Sequence, residues 1–121
     1  MKVKEIAFVA YAVEDVKRAR DFYEGVLGLV PGSVWDGETT AFIEYYMGEH
    51  TLAIGKGAPN FKPGLTGATV ALEVEDIEDA IKNLKDKNVP FLMEPYESSS
   101  CKMALVQDPD GNQIMIHQRK K

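Results

Sequence analysis

The same short sequence, Val-Glu-Asp followed by an aliphatic residue, occurs twice in the chain. The first copy begins at Val13 and the second at Val74, about half of the 121-residue chain apart. A motif that recurs at half the chain length indicates a duplicated module. The alternative is chance recurrence of a common helix start. The matched residues that precede both copies favour duplication.

Bulky side chains alternate with smaller ones before each copy, at Val9, Tyr11 and Val13 and again at Val70, Leu72 and Val74. A period of two is typical of a strand that buries one face. Asp15 and Asp76 follow, and each supplies a carboxylate that can accept the free amide hydrogens of a helix's first turn. Each half of the chain is therefore predicted to begin with a strand that leads into a helix.

Hydrophobic periodicity and turn residues predict the order βαβββ twice. The first half is predicted to contain a strand over 5–13, a helix over 16–27 and strands over 29–35, 40–47 and 50–54. The second half is predicted to contain a strand over 69–74, a helix over 77–87 and strands over 91–96, 102–107 and 112–117. Gly28 is expected to end the first helix in the left-handed conformation. Glu78 and Lys82, one turn apart, are expected to pair.

The bulk composition limits the class of protein. With 45% hydrophobic and 27% charged residues, the chain is typical of one globular domain, divided into a module over 1–56, a linker over 57–67 and a module over 68–121. A net charge of -5 argues against nucleic acid as a partner. The absence of a long apolar run predicts no membrane partner and a cytoplasmic location. The single cysteine, Cys101, agrees with a reducing compartment, and the serines at 98–100 before it predict a loop.

The strands are predicted to have two different faces. If Val9 and Tyr11 pack under a helix, Phe8 and Ala10 point the opposite way, because successive side chains of a strand alternate. The same alternation separates an aliphatic face from a small or polar face in the other strands. The small or polar set includes Thr51, Ala53, Gly55, Thr69, Ala71, Glu73, Gln113, Met115 and His117. Small residues on the inner surface of a curved sheet leave a hollow for a ligand, whereas the alternative is a solvated face.

Three features together resemble the vicinal oxygen chelate superfamily. They are the repeated βαβββ order, the segment from Val13-Glu14-Asp15 through Asp21-Phe22-Tyr23 to Leu29, and the turn Asp108-Pro109-Asp110-Gly111-Asn112. That superfamily includes glyoxalases, extradiol dioxygenases, fosfomycin-modifying enzymes, methylmalonyl-CoA epimerases and bleomycin resistance proteins. The resemblance spans essentially the whole chain. It implies an α+β fold in which two tandem βαβββ modules form a curved mixed sheet around a central cavity.

The resemblance also implies where a metal ion would bind. Family members that carry a metal hold it with His, Gln or Glu, and the matching positions in this chain are Phe8, Ala53, Thr69 and Met115. Phenyl and methyl groups have no donor atom, a neutral hydroxyl is a weak ligand, and a thioether prefers soft metals. The chain is therefore expected to bind no metal and to need no cofactor. Metal-dependent glyoxalase or dioxygenase chemistry would lack its Lewis acid.

A second set of residues predicts the ligand. Aromatic and thioether side chains suit a flat apolar or cationic organic molecule, and Glu44 or Glu73 would add a counter-charge. The side chains that could line such a pocket are those of Phe8, Trp35, Phe42, Tyr45, Tyr46, Met103 and Met115. The predicted ligand-binding residues are Phe8, Ala10, Trp35, Phe42, Tyr46, Ala53, Thr69, Ala71, Gln113 and Met115. This pattern favours a small-molecule binding protein that sequesters or senses its ligand, in the manner of bleomycin resistance proteins.

Two alternatives remain open from the sequence. The first is an enzyme, a glyoxalase-like lyase, an isomerase or a dioxygenase, whose catalytic or metal residues are displaced. Glu73 and His117 are then the candidate acid-base groups, although both also fit the role of polar strand ends. The second is a protein-interaction module. A homodimer is expected in any of these cases, because family members commonly cover exposed sheet edges by association.

Overall fold

Two four-stranded mixed sheets account for most of the regular secondary structure in the computed structural model, which describes residues 2, 4–58, 61–65 and 67–120. The first sheet contains β1 (Val9–Ala12), β2 (Pro31–Asp36), β3 (Ala41–Met47) and β4 (His50–Lys56). The second contains β5 (Val70–Glu73), β6 (Phe91–Glu97), β7 (Cys101–Gln107) and β8 (Gln113–Arg119). The helices are α1 (Val16–Arg20) and α2 (Ile77–Asp86). The predicted α+β class and the repeated βαβββ order are confirmed.

The two sheets have the same topology. Their strand orders are β1-β4-β3-β2 and β5-β8-β7-β6. In each sheet the first strand pairs in parallel with the fourth, and the remaining neighbours are antiparallel. Backbone contacts divide the chain into an N-terminal unit, Met1–Pro63, and a C-terminal unit, Gly64–Lys121. Part of the predicted linker, at residues 59, 60 and 66, lies outside the described residues. Within the described ranges, no helix is long and apolar enough to cross a membrane.

The repeated acidic residues start both helices, as predicted. The Asp15 carboxylate accepts a hydrogen bond from Arg18 N at 3.0 Å, and the Asp76 carboxylate accepts one from Asp79 N at 3.2 Å. Each carboxylate thereby satisfies an amide that has no partner inside the helix. Gly28 has a φ of 74°, which confirms the left-handed position expected there.

The first helix differs from the prediction in its second half. The α-helical part ends at Arg20, and Asp21–Val26 continue as a π-helical turn, in which Leu27 N donates to Phe22 O. The wider turn buries the consecutive side chains of Phe22 and Tyr23, whose rings meet edge to face at 5.2 Å. Apolar periodicity alone does not distinguish this turn from an α-helix.

Two other local predictions need correction. The first strand begins at Val9, so Phe8 lies just before it. Glu78 pairs with Lys102 of β7 at 2.7 Å instead of with Lys82. The predicted loop at 98–100 is confirmed, since it lies between β6 and β7, and Cys101 is the buried first residue of β7.

A partly buried polar cluster joins the helical segment to the first sheet. The Tyr45 hydroxyl of β3 donates to Glu24 Oε2 at 2.9 Å, and Arg20 Nε donates to the same oxygen at 2.6 Å. The Arg20 hydrogen bond is the main reason that the pKa of Glu24 is lowered, and burial followed by the bond to Glu24 raises the pKa of Tyr45. Tyr45 also stacks on Tyr23 with ring centroids 6.0 Å apart. The fully buried Tyr45 therefore orients the helical segment on the sheet.

The Asp-Pro-Asp-Gly-Asn turn has a structural role in the C-terminal unit. Asp108 is 3% exposed, and its Oδ1 accepts hydrogen bonds from Asp110 N and Asn112 N at 2.9 and 2.8 Å. Its Oδ2 accepts from Asn112 Nδ2 at 2.9 Å, and Asn112 Oδ1 accepts from Gly64 N at 2.9 Å. Gly111 has a φ of 84°, which closes the turn. The predicted hairpin loop between the last two strands is confirmed.

Adjacent tyrosines on β3 provide a test of the cluster. The substitution Tyr45→Phe removes a buried donor to Glu24 and is expected to lower the free energy of unfolding by about 1 to 2 kcal/mol. Tyr46→Phe is the matched control, since Tyr46 lies on the other face and is 54% exposed, and its effect should stay within about 0.5 kcal/mol. Urea denaturation followed by circular dichroism measures both values. Equal effects of the two substitutions would contradict the assigned role.

Candidate functional site

The side chains of β3 separate the two faces of the N-terminal sheet. Ala41, Ile43 and Tyr45 are buried on the face that packs against the helical segment. Phe42 and Glu44 are half-buried on the opposite face, where Tyr46 is exposed. The two faces of β3 therefore differ in burial, and the less buried one is aromatic and acidic where the other strands were predicted to have a small or polar face. The second face is termed the aromatic face and is defined by Phe8, Trp35, Phe42, Glu44 and Tyr46.

Four aromatic side chains gather on the aromatic face. Trp35 of β2 pairs in register with Phe42 of β3, and the Phe8 ring meets the Phe42 ring edge to face at 5.4 Å. Phe8 is 47%, Tyr46 54% and Trp35 61% exposed. Trp35 Nε1 donates to Thr40 Oγ1 at 3.1 Å, which orients the indole. The structure thus places Phe8, Trp35, Phe42 and Tyr46 together, whereas Tyr45, which was also expected in the wall of the pocket, is buried on the other face.

Small residues accommodate these rings. β4 lies between β1 and β3 in the sheet and carries Ala53. Phe8, just before β1, and Phe42, on β3, therefore contact each other across β4. Ala53 is 0% exposed. A Cβ at Gly55 would lie 3.0 Å from Phe42 Cδ1 and 3.3 Å from Phe61 Cε2. β4 thus carries small residues where the rings of Phe42 and Phe61 lie close to its backbone.

Glu44 is the acidic group of the aromatic face. It lies between Phe42 and Tyr46 along β3 and opposite Ala53 on β4. Within the described residues Glu44 forms no ion pair and no side-chain hydrogen bond. A carboxylate among aromatic rings attracts an organic cation, because ring faces and carboxylate both favour positive charge.

The C-terminal sheet carries a polar site of different chemistry. Glu73 of β5 pairs in register with His117 of β8, and His117 Nδ1 lies 2.6 Å from Glu73 Oε1. Arg119 N donates to Glu73 Oε2 at 2.7 Å. That backbone bond, followed by the bond to His117, lowers the pKa of Glu73. Glu73 is therefore already paired, and it does not act as the free counter-charge considered from the sequence.

The other predicted residues of this sheet lie beside the pair. Ala71 is in register with Met115, and Gln113 Nε2 donates to Thr69 Oγ1 at 2.7 Å. On this face the Thr69–Gln113 contact just before β5 is polar, the Ala71–Met115 pair is apolar and the Glu73–His117 pair is polar. The sequence placed these residues on one face but gave no signal for the hydrogen bonds between them. It also missed Phe61, which follows the glycine-rich stretch after β4 and packs near Gly55.

The donor chemistry of the four expected ligand positions does not fit a divalent metal ion. Phe8 and Ala53 offer only carbon, Met115 offers a thioether, and the Thr69 hydroxyl already accepts the Gln113 hydrogen bond. Among the residues that the structure describes, no three His, Cys, Asp or Glu side chains are grouped so that they could hold a metal ion.

Comparison with known proteins gives matches over nearly the whole chain. The model of the Glyoxalase/Bleomycin resistance protein/Dioxygenase superfamily matches residues 5–116. The uncharacterized protein YetH from Bacillus subtilis (strain 168) is 26% identical over 122 residues, which cover 94% of this chain and 98% of that protein.

Two solved structures illustrate the range of proteins with this fold. TnmS3, an antibiotic binding protein from Streptomyces sp. CB03234, is 23% identical with a TM-score of 0.83, and the match covers 99% of each chain. Glyoxalase I from Leishmania major is 22% identical with a TM-score of 0.78, and the match covers 96% of this chain and 87% of that chain. At this identity the likeness shows the fold alone.

The packing of rings above β4 is tested at two glycines. The substitution Gly55→Ala places a Cβ against Phe42, Phe61 and the Ala41 carbonyl oxygen, and it should lower the free energy of unfolding by about 1 to 3 kcal/mol. Gly67→Ala is the matched control, because no described heavy atom beyond its chain neighbours lies within 4 Å of a Cβ there. Denaturant unfolding measures both. An unchanged stability in Gly55→Ala would contradict the packing described.

Proposed function

Because the chain belongs to the glyoxalase/bleomycin resistance protein/dioxygenase superfamily, whose fold supports several unrelated chemistries, we propose a function from the site itself. The protein binds a flat organic molecule, preferably a cation, on the aromatic face of the N-terminal unit. Binding requires no metal ion. The biological role is sequestration or sensing of that molecule.

One observation carries this proposal. The rings of Phe8, Trp35 and Tyr46 are each about half exposed or more, on one face of one sheet. Water is a poor environment for such rings, and exposed aromatic groups that lie together mark binding surfaces. Their flat faces suit stacking, and a second aromatic system adds about 0.5 to 1.5 kcal/mol for each ring pair beyond the burial of area.

The charge of the site supports a preference for cations. Glu44 lies between two aromatic side chains with no ion pair among the described residues, and the chain carries a net charge of -5. A bound cation would gain attraction from the carboxylate and from the ring faces together. An anion of the same shape would meet the carboxylate without a compensating positive group on this face.

The similarity to TnmS3 is consistent with a protein that binds a small organic molecule. That protein is described as antibiotic binding, and it shares the fold of this chain. Binding without turnover is compatible with four ligand positions that offer poor donors for a divalent ion. The enzyme alternative requires catalytic groups elsewhere, and an elemental analysis of the purified protein with stoichiometric Ni, Zn, Fe or Mn would favour it.

Two flat probes of opposite charge test the proposal. 9-Aminoacridine, a cation at neutral pH, is expected to raise the melting temperature and to quench the fluorescence of Trp35, the single tryptophan. Anthracene-2-sulfonate, an anion of similar shape, is expected to bind at least about tenfold more weakly. Both results should be the same in excess EDTA. Binding of 9-aminoacridine only after addition of a divalent ion would contradict the metal-free proposal.

Matched variants locate the binding site. Glu44→Gln should remove most of the preference for the cation, whereas Glu49→Gln, in the exposed turn between β3 and β4, should preserve it. Tyr46→Ala should weaken binding about twofold to tenfold, the range expected for one ring contact. Tyr96→Ala is its control, because Tyr96 is 56% exposed on β6 of the C-terminal unit. Equal losses in both tyrosine variants would place binding elsewhere.

We also propose that the protein is a cytoplasmic homodimer. Each sheet ends in strands with only one paired neighbour, namely β1 and β2 in the N-terminal unit and β5 and β6 in the C-terminal unit. Such edges favour association. Light scattering at micromolar concentration should give twice the chain mass of 13.4 kDa, and a value of one chain mass would contradict the dimer.

A further inference from the structure

We infer that His117 and Glu73 form a second binding site, in which the free ring nitrogen of His117 accepts the proton of a weakly acidic hydroxyl group such as that of a phenol. This second site is formed only by residues of the C-terminal unit. It is independent of the aromatic face and of the ligand proposed to bind there.

The hydrogen bond between the two side chains fixes the tautomer of the histidine. The carboxylate of Glu73 is ionised at neutral pH, since its pKa is lowered, and an ionised carboxylate only accepts hydrogen bonds. His117 Nδ1, 2.6 Å from Glu73 Oε1, must therefore carry the hydrogen. In the neutral ring the lone pair then lies on Nε2.

The pair is held in place before any ligand arrives. Glu73 accepts from His117 with one oxygen and from Arg119 N with the other, at 2.6 and 2.7 Å. The parallel register of β5 and β8 places Glu73 directly beside His117. A ligand therefore meets an imidazole whose orientation is already determined, which reduces the entropy cost of binding.

The second nitrogen of His117 is available. Within the described part of the chain, Nε2 makes no hydrogen bond, and the side chain is 21% exposed. The cross-strand neighbour of His117 on β7 is Met103, and Met115 lies two residues before it on the same face of β8. Thioether sulfur makes favourable contacts with aromatic rings. These surroundings suit an aromatic ring that carries a hydroxyl group.

The chemistry favours a weak acid over an ammonium ion. Glu73 already accepts two hydrogen bonds, so an added cation at Nε2 would find no free carboxylate there. A phenol O–H donates to Nε2 and brings no charge. If the proton moves, the O–H bond breaks and an Nε2–H bond forms, which leaves a phenolate beside an imidazolium whose Nδ1–H remains on Glu73. No electron is transferred and no co-reactant is needed.

4-Nitrophenol is the probe for the test, because its ionised and un-ionised forms differ in absorbance. At a pH where the free probe is mostly un-ionised, the wild-type protein is expected to bind it and to increase the phenolate absorbance. His117→Gln should weaken this binding about tenfold, as expected for loss of a hydrogen bond to a charged group. His50→Gln is the matched control, because His50 is the only other histidine and is exposed at the start of β4.

The substitution Glu73→Gln distinguishes two roles of Glu73, namely orientation of the His117 ring and balance of the positive charge on an imidazolium. The glutamine carbonyl oxygen can still accept from Nδ1–H and keep the ring in place, but it cannot balance an imidazolium. This variant should therefore still bind 4-nitrophenol while losing the increase in phenolate absorbance. A pair that only joins β5 to β8 would not produce this separation.

Long-range nitrogen NMR of the wild-type imidazoles gives a result that does not depend on any variant. The His117 ring should show the Nδ1–H tautomer, and its Nε2 signal should shift on addition of 4-nitrophenol. An Nε2–H tautomer, or probe binding that leaves the His117 signals and the His117→Gln affinity unchanged, would overturn the inference. Binding of 9-aminoacridine by His117→Gln is measured in parallel. If His117→Gln still binds 9-aminoacridine, a failure of the His117 site can be distinguished from a failure of the function proposed above.

Discussion

The two-residue period of the antiparallel β3–β4 pair determines the chemistry of the N-terminal unit. One set of alternate residues, including Ile43 and Tyr45, is fully buried against the helical segment. The other set places Phe42, Glu44 and Tyr46 on the opposite face. A shift of one residue in register would exchange the two sets. The hydrogen bond between the buried Tyr45 and the partly buried Glu24 opposes such a shift, because it joins the strand to the helical segment at one position only. Stability and the aromatic face therefore depend on the same register.

The same topology supports a different chemistry in the C-terminal unit. Both units have a parallel first pair and two antiparallel pairs, and both start their helix with an aspartate. In the first unit the face away from the helix carries aromatic rings and one carboxylate without an ion pair among the described residues. In the second, the corresponding face carries hydrogen-bonded pairs, including Glu73 with His117. The two units thus share a backbone arrangement and differ in the side chains at the alternate positions. For this reason, membership in the family indicates the fold, whereas the ligand has to be inferred from the side chains of the site.

The sequence predicted the features that depend on local order. The helix starts at Asp15 and Asp76 and the left-handed Gly28 follow from backbone hydrogen bonding and sterics, and the structure confirms them. Contacts between strands were harder to predict. Glu78 was expected to pair with Lys82 along the helix, but Lys102 of β7 is the partner. Similarly, the alternation of strand residues did not indicate that Phe8 and Phe42 would meet edge to face or that Ala53 would be fully buried. Such outcomes depend on which side chains from distant parts of the sequence become neighbours, and periodicity carries no information about that.

Binding of a flat organic cation on the face of β3 that carries residues 42, 44 and 46 is tested most directly by intermolecular nuclear Overhauser effects. They are measured between 9-aminoacridine and the protein side chains in excess EDTA. We expect contacts from the probe to the rings of Phe42 and Tyr46 and no contact to Ile43 or Tyr45, which lie on the buried face. Contacts confined to the helix-facing residues or to the C-terminal unit, or contacts that appear only when a divalent metal ion is added, would show that the cation does not bind there as proposed.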